Sequence, residues 1–302
     1  LCLRAGINFK DINSYHLGYL IGPRINAAGR IGSPMNAVKL LVSSDEKLCQ
    51  KISEELDNLN FDRQKLTLKT KEEASSLIQD EKNKAIFVIG KDWHEGIIGL
   101  VAGKLLEEFH KPVIVATHNG ESVKGSARSI KGFNITEALG KFDKYLERFG
   151  GHELAAGFTA KADTIDEFVD GFMKFANKEI TKEMLVSKLN IDLVIDSENV
   201  GKKLIDDLHQ LEPFGYGNPK PIVCLKNLVV FRKTIMGKEE NHMKLLVKGS
   251  GYDMLTLVLF GAGEDKEEIE KDSVIDVVGY PDLNVWNGNE NVQFNVKEWR
   301  FS

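Results

Sequence analysis

The stretch from Ala85 to Thr117, AIFVIGKDWHEGIIGLVAGKLLEEFHKPVIVAT, leaves little freedom in architecture. A short apolar run, Ala85–Ile89, is followed by helical spacing over Gly96–Phe109. After Pro112 comes a second apolar run, Val113–Ala116. Short apolar runs bounded by turn residues read as buried strands, and strand, helix, strand in this order is a βαβ unit. The flanking pattern continues the theme. VKGSARS suits an edge strand or a turn, Thr136–Phe149 a helix, Ala156–Ala160 a short strand and Thr164–Ile180 a further helix. Alternation of this kind predicts an α/β domain with a central sheet.

The two ends of the chain differ from this middle. Residues 15–35, YHLGYLIGPRINAAGRIGSPM, are rich in Gly, Pro and small side chains, which predicts a structured loop with turns at Gly22-Pro23 and Gly32–Pro34. From Asn36 to about Asp80 the pattern turns helical, with Leu48, Ile52, Leu56 and Leu59 on one face. A helix of that length spans about 40 Å and suits a connector between domains. The seam is too short to favour a coiled-coil arm. Beyond Glu183 a helix at Val200–Leu211 and a Gly/Pro-rich hinge, LEPFGYGNPKP, precede five β-rich runs: Ile222–Phe231, His242–Val247, Met254–Phe260, Ser273–Val278 and Val292–Val296. Five short strands between polar turns predict a small antiparallel barrel. The expected division is 1–80, 81–183 and 184–302.

Composition narrows the class. Hydrophobic residues make up 42% and charged residues 28%, an ordinary globular mix. No apolar run approaches the length of a membrane span, and the N-terminal residues lack the pattern of a signal peptide. The first residue is Leu, so the chain reads as a piece of a longer protein. Three dispersed cysteines with no CxxC pair argue against a zinc site or a disulfide framework and for a reducing, cytoplasmic setting. A net charge of −5 argues against a strongly basic nucleic-acid binder. Two stretches nevertheless lack acids altogether: Ile12–Ser44, with Arg24, Arg30 and Lys39, and Ser122–Thr136, with Lys124, Arg128 and Lys131. Local positive patches of this kind attract polyanions on an acidic protein, although short acid-free stretches also arise by chance.

Four motifs carry candidate chemistry. In RFGGHELAAG, Gly150 and Gly151 leave backbone N–H groups open to phosphate oxygens, and His152 adds a donor; Gly-Gly also suits a plain turn after a helix. In KGSARS, Ser126 and Arg128 are two apart, so on a strand both point to one face, where a hydroxyl and a guanidinium suit a terminal phosphate. Routine polar residues on an exposed edge are the alternative. In GPRINAAGRIG, Arg24 and Arg30 flank small residues including Asn26, as in a pocket wall or a tightly packed loop with surface arginines. In DWHEGIIG, Ile98 stands where a zinc-protease motif needs its second histidine, so His94, Glu95 and Gly96 read as a helix start. Asp-x-Asp, Asp-His-His, P-loop and GxSxG motifs are all missing from the sequence. These are parts for holding a phosphate, with no set for cutting one.

Taken in order, IGPRINAAGRIG, WHEGIIGLVAGKL, KGSARSIKGF, FGGHELAAG and LEPFGYGNP resemble the RecJ family of single-strand-specific 5′→3′ DNA exonucleases. FGGHELAAG by itself resembles the signature of the DHHA1 domain of the DHH phosphoesterase superfamily. The resemblance implies a fold of connector helix, α/β DHHA1 domain and all-β OB-fold barrel. It implies that the domain holding two Mn²⁺ or Mg²⁺ ions lies upstream of Leu1, and that this chain by itself binds without cleaving. Gly150, Gly151 and His152 would hold the strand near the scissile phosphate, with no metal ligands on this chain. Arg24, Asn26, Arg30, Ser126 and Arg128 would surround the 5′ end. Lys233, Lys244 and Lys248, with Phe231, Tyr252 or Phe260, would contact DNA on the barrel, although aromatics there more readily fill a barrel core. The implied partners are single-stranded DNA with a 5′ end and a single-strand-binding protein or a helicase, with no membrane, and the implied state is a cytoplasmic monomer. A catalytically inactive scaffold and a small-nucleotide phosphodiesterase are the alternatives. The trailing barrel speaks against the second, since a small substrate gains nothing from it.

Overall fold

Two prolines start helices where the sequence pattern suggests a loop. Residues 16–21 form a π-helical turn, and two helices follow, α1 (Gly22–Ile31) and α2 (Pro34–Val42), each with proline in its first turn. Proline lacks only an N–H that the first turn leaves unbonded anyway, and its fixed φ suits the helix. The small residues serve packing rather than turning. Ala27 and Ala28 are fully buried where α1 lies against the long helix α3 (Glu46–Ser76). These coordinates, a computed structural model, describe residues 1–302 except 79–81, 119, 121, 250, 252–253, 263–264 and 287. They form two units, Leu1–Lys188 and Leu189–Ser302.

In the first unit, α3 runs 31 residues. The Asp45 side chain caps it by accepting from the Lys47 and Leu48 amides. Its inward face includes Ile52, Leu56, Asn60, Thr67, Thr70 and Ala74, apolar at the ends and polar in the middle, while Leu48 is exposed. The sheet begins with β1 (Ile86–Lys91), α4 (Glu95–Phe109) and β2 (Val113–His118), with β1 and β2 parallel as a βαβ unit requires. His94 caps α4, its Nδ1 accepting from the Gly96 amide at 3.0 Å. The strand β3 (Ser122–Arg128) is interior to the sheet, not an edge: it pairs with β2 on one side and β5 (Ala155–Lys161) on the other. The edge is β4 (Leu146–His152), giving the order β1-β2-β3-β5-β4.

The expected helix over Thr136–Phe149 is also corrected. Asn134 caps only a short α5 (Ile135–Gly140); a 3-10 turn at Asp143–Tyr145 then leads into β4. Of the aromatic side chains in that segment, Phe142 and Tyr145 pack against the core from the turn, whereas Phe149 on β4 is 39% exposed. Phe142 lies beside Phe168 and Phe172, and Phe149 stands opposite Phe158 in the register. Phe168 and Phe172 belong to α6 (Ile165–Glu179), which closes one face of the sheet. On the other face α4 covers β1 and β2, burying Ile97, Val101 and Leu105 against Ile86, Val88, Val113 and Val115. On that side α4 also reaches the outward row of β3, with Gly99 against Ser126 and Arg128 and Glu95 paired with Lys124, while β4 beyond it is largely exposed.

The second unit holds a two-residue strand β6 (Leu193–Val194), helix α7 (Lys202–His209) and strands β7 (Val223–Met236), β8 (His242–Lys248) and β9 (Met254–Leu259). A short helix α8 (Asp265–Glu268) leads to the long strands β10 (Val274–Trp286) and β11 (Asn289–Phe301). The order β10-β11-β9-β8-β7 closes through β10 pairing with β7, a five-stranded barrel. Only the β9–β11 pair within it is parallel. The core comes from alternate positions, among them Leu225, Val230, Leu245, Leu257, Ile275 and Phe294. At a bulge, Gly279 lies so close to β11 that a Cβ there would sit 2.0 Å from the Asn295 carbonyl oxygen.

Candidate nucleic-acid interface

Strand register gathers the phosphate-binding candidates onto one surface. Lys124, Ser126 and Arg128 alternate along β3 and share a face, as a strand dictates. Lys124 stands opposite Thr159, Ser126 opposite Gly157 and Arg128 opposite Ala155 on β5. Those same β5 residues stand opposite Arg148, Gly150 and His152 on β4. The result is three cross-strand rows: Lys124–Thr159–Arg148, Ser126–Gly157–Gly150 and Arg128–Ala155–His152. Cations and hydrogen-bond donors line both long sides, and the floor between them carries almost no side chain.

The local bonds hold this frame in place. Arg128 Nη1 donates to Ser126 Oγ at 3.2 Å and to the Ala127 carbonyl at 2.8 Å. Arg148 Nε donates to Thr159 Oγ1 at 3.1 Å. Lys124 Nζ pairs with Glu95 of α4 at 2.6 Å. Thr136 Oγ1 donates to the His152 carbonyl at 2.8 Å, which ties the end of β4 to the start of α5. A cleft of about 360 Å³ lies here, lined among others by Glu95, Lys124, Ser126, Arg148 and Gly150. The two glycines of the motif play different parts. Gly150 has open space where a Cβ would stand, whereas a Cβ on Gly151 would sit 2.2 Å from the Ala155 carbonyl oxygen.

Arg30 approaches the same region from α1. Its Nη1 donates to the Gly96 carbonyl at 3.1 Å. Gly96 is packed against Arg30's own backbone, where a Cβ would lie 2.0 Å from the Arg30 carbonyl oxygen. One helical turn on, Gly99 faces Ser126 Oγ and Arg128 Nη2. Glycine at both positions thus lets the end of α1 and the face of β3 close on α4. The Arg128 guanidinium is held below the ordinary arginine range, first by burial and then by repulsion from Arg30. Arg24 has a different setting: its Nε pairs with Asp57 of α3 at 2.8 Å, and its Nη1 donates to the Leu20 carbonyl. Asn26 is exposed on α1.

Sequence reasoning passed over Arg148, Gly157 and Thr159, because only the register of β3, β5 and β4, whose sheet order differs from their chain order, shows that they share a surface. It also passed over Arg63 of α3, whose guanidinium is likewise lowered by burial and by Arg30. Arg63 lies within the helical seam of α3, where a cation every few residues is commonplace.

On the barrel, Phe231 and Phe260 correct the expectation of a core role: they are 58% and 64% exposed. Lys271 Nζ stands 5.9 Å from the Phe231 ring, and His242 meets Phe260 edge-on at 5.5 Å between centroids. Both aromatics lie at positions that point away from the packed interior. Lys244 and Lys248 are exposed on β8, and Lys233 Nζ donates to the Ile269 carbonyl at 2.6 Å. Tyr252 lies outside the described residues.

Comparison with known proteins agrees with this architecture. Residues 81–179 match the DHHA1 domain and residues 191–298 the RecJ OB domain. The chain is 34% identical over 298 residues to the single-stranded-DNA-specific exonuclease RecJ of Bacillus subtilis, covering 97% of this chain and 38% of that protein. It is 26% identical to the Haemophilus influenzae RecJ, covering 98% and 51%. The crystal structure of Thermus thermophilus RecJ in complex with Mn²⁺ superposes with a TM-score of 0.86 at 26% identity, over all of this chain and 43% of that one. The same protein is also known in complex with Mg²⁺. The chain therefore spans about two fifths to half the length of these relatives. Among its described residues no group of three or more His, Cys, Asp or Glu side chains is placed to hold a metal ion, so the donors present do not fit those ions. Among them, too, no helix is long and apolar enough to cross a membrane. The matches run from one end of the chain to the other, DHHA1 domain before OB domain, and the chain belongs to the RecJ family, corresponding to the C-terminal portion of its members.

Proposed function

We propose that this chain is the substrate-binding portion of a 5′→3′ single-stranded-DNA exonuclease. The observation that carries the reading is the face of β3, β5 and β4, where Lys124, Arg128, Arg148 and His152 surround a floor of Gly150, Gly157 and Ala155. A bare floor lets a phosphodiester backbone approach main-chain donors, and the flanking cations neutralise it. In this reading Gly150, Gly151 and His152 hold the backbone near the bond to be cut. Ser126, Arg128 and Arg30 hold the 5′ end. Arg24, fixed by Asp57, and Asn26 support that end from α1. The exposed Phe231, beside Lys271, and Phe260, beside His242, extend the path by base stacking, with Lys244 exposed on β8.

The proposal places the metal-dependent step in a part of the intact protein outside this chain. It keeps the division into 1–80, 81–183 and 184–302, with the first part as connector. It takes the protein as a cytoplasmic monomer, working with a single-strand-binding protein or a helicase. Fluorescence anisotropy tests the core of it. The chain should bind a single-stranded oligonucleotide better than the matching duplex, and Arg128→Ala should weaken binding roughly tenfold or more. Added Mn²⁺ should produce no cleavage. Equal affinity for duplex, or an Arg128→Ala variant that binds as well as the parent, would refute the reading. Robust cleavage by the purified chain would refute its placement of the metal step.

A further inference from the structure

One of the residues that line the cleft on the β3 face is an acid. Glu95 opens α4, and its Oε1 lies 2.6 Å from Lys124 Nζ. A carboxylate weakens a surface that neutralises phosphates, so its place there calls for a reason. Helix stability explains only part of it. An acid in the first turn complements the helix dipole, but it does so without reaching across to β3. The attachment of α4 does not need it either. His94 caps the same turn, and the bare backbone of Gly96 and Gly99 already packs against Arg30, Ser126 and Arg128.

The arginines of the face are held differently. In the ion pairs among the described residues, neither Arg128 nor Arg148 has a carboxylate partner. Arg128 donates to Ser126 Oγ and the Ala127 carbonyl, and Arg148 to Thr159 Oγ1, all neutral acceptors. In the Lys124–Thr159–Arg148 row, one cation of the two is therefore already paired in the free protein. The Lys124 and Glu95 side chains are 32% and 50% exposed. Ion pairs this open to water are weak, so a phosphate takes the lysine from the carboxylate at small cost.

We propose that Glu95 is a built-in competitor for the strand. Its carboxylate stands in for a phosphate oxygen on Lys124 in the free protein and gives Lys124 up when single-stranded DNA binds. The inference rests on the reading of the β3 face as a strand-binding surface and adds to it a residue that loosens the hold. The exchange makes the grip on the backbone readily reversible at the Lys124 row, while the Arg128 row has no such competitor. A strand that is shortened stepwise has to be released and advanced, and a loose row beside a firm one serves both needs.

The test measures anisotropy of a thymidine oligonucleotide with the whole chain, at salt concentrations from about 50 to 200 mM. Glu95→Gln removes the competitor and should bind roughly two- to fivefold more tightly at the lowest salt. Lys124 is then free to displace a counter-ion, so the plot of log affinity against log salt should steepen by about 0.7. Its Tm should fall by no more than about 4 °C, the share of the helix dipole. Glu107→Gln is the control: it removes the same charge from an exposed position on α4, about 18 Å along the helix. An equal gain from Glu107→Gln would mark a net-charge effect and overturn the inference. The double variant Glu95→Gln/Lys124→Ala should return to the parent's affinity; one that keeps the gain shows that Lys124 is not the group released, and also overturns it. So does a Glu95→Gln variant that loses Tm and gains no affinity, which marks a structural prop. If Arg128→Ala weakens binding while Glu95→Gln changes neither affinity nor salt slope, the inference fails and the strand-binding reading stands. If neither the parent nor any variant binds the oligonucleotide, that reading fails and takes the inference with it. Should Glu95→Gln not fold, Glu95→Ser is judged by the same outcomes.

Discussion

The two glycines of RFGGHELAAG offer a pair of substitutions with opposite outcomes. Gly151 has φ +157°, and a Cβ there would lie 2.2 Å from the Ala155 carbonyl oxygen and 2.6 Å from the Ala156 Cα. Both contacts are with backbone, so Gly151→Ala forces β4 away from β5. Overpacking of this kind costs about 1–3 kcal/mol. For a unit of this size each kcal/mol lowers Tm by about 2–4 °C, so the expected drop is about 2–12 °C. Gly150 has no atom within 4 Å of its Cβ position. Gly150→Val therefore leaves Tm nearly unchanged, within about 0.5 kcal/mol of the parent. It does place a branched side chain on the floor between Arg148 and His152. Loss of one charge-assisted backbone contact should weaken single-strand binding roughly tenfold or more. Calorimetry and anisotropy on the same two variants separate the effects. Gly150→Val that binds like the parent would show that the floor is not the interface. Gly151→Ala with an unchanged Tm would refute the close approach of β4 and β5.

Two further outcomes concern the rest of the chain. In the barrel, Asp276 is nearly buried. Burial raises its carboxyl, but bonds from the Asn227 amide, Ser302 and Arg300 more than offset this and leave it below the usual carboxylate range. A depressed pKa contributes stability above the unfolded value near 4 and loses it as pH falls through the folded value. The barrel's Tm should thus fall on acidification below about pH 4, and Asp276→Asn should flatten that fall while costing about 1–3 kcal/mol at neutral pH; an acid limb as steep as the parent's would contradict this. In the first unit, Trp93 Nε1 donates to Glu73 of α3 at 2.8 Å, so Trp93→Phe should cost about 1 kcal/mol in urea unfolding, and no change would mean the bond holds nothing.

Local pattern carried the core elements well. The apolar runs around Val88 and Val115 and the helical spacing over Gly96–Phe109 follow from periods of 2 and 3.6, which depend on near neighbours alone. Even the role of His94 at a helix start was legible, because a cap is a contact within a few residues. The failures share one cause. Gly and Pro at 22–34 signalled turns, yet Pro23 and Pro34 open helices, because burial of Ala27 and Ala28 against α3 outweighs local preference. The apolar spacing in 136–149 suited a helix, yet Phe149 is opposite Phe158 across a strand pair.

The sequence by itself determined the βαβ unit, the candidate residues of the β3 face and a likeness to RecJ proteins carried by five ordered motifs. Tertiary structure decided which residues share that face. Lys124, Arg148, Gly157 and His152 meet through the register of β3, β5 and β4, and Arg63 approaches Arg30 only because α3 folds back along α1 and α4. A strand's alternation fixes which side a residue faces within its own segment. Which distant segment lies beside it is set by pairing and packing over the whole unit, and no local period records that.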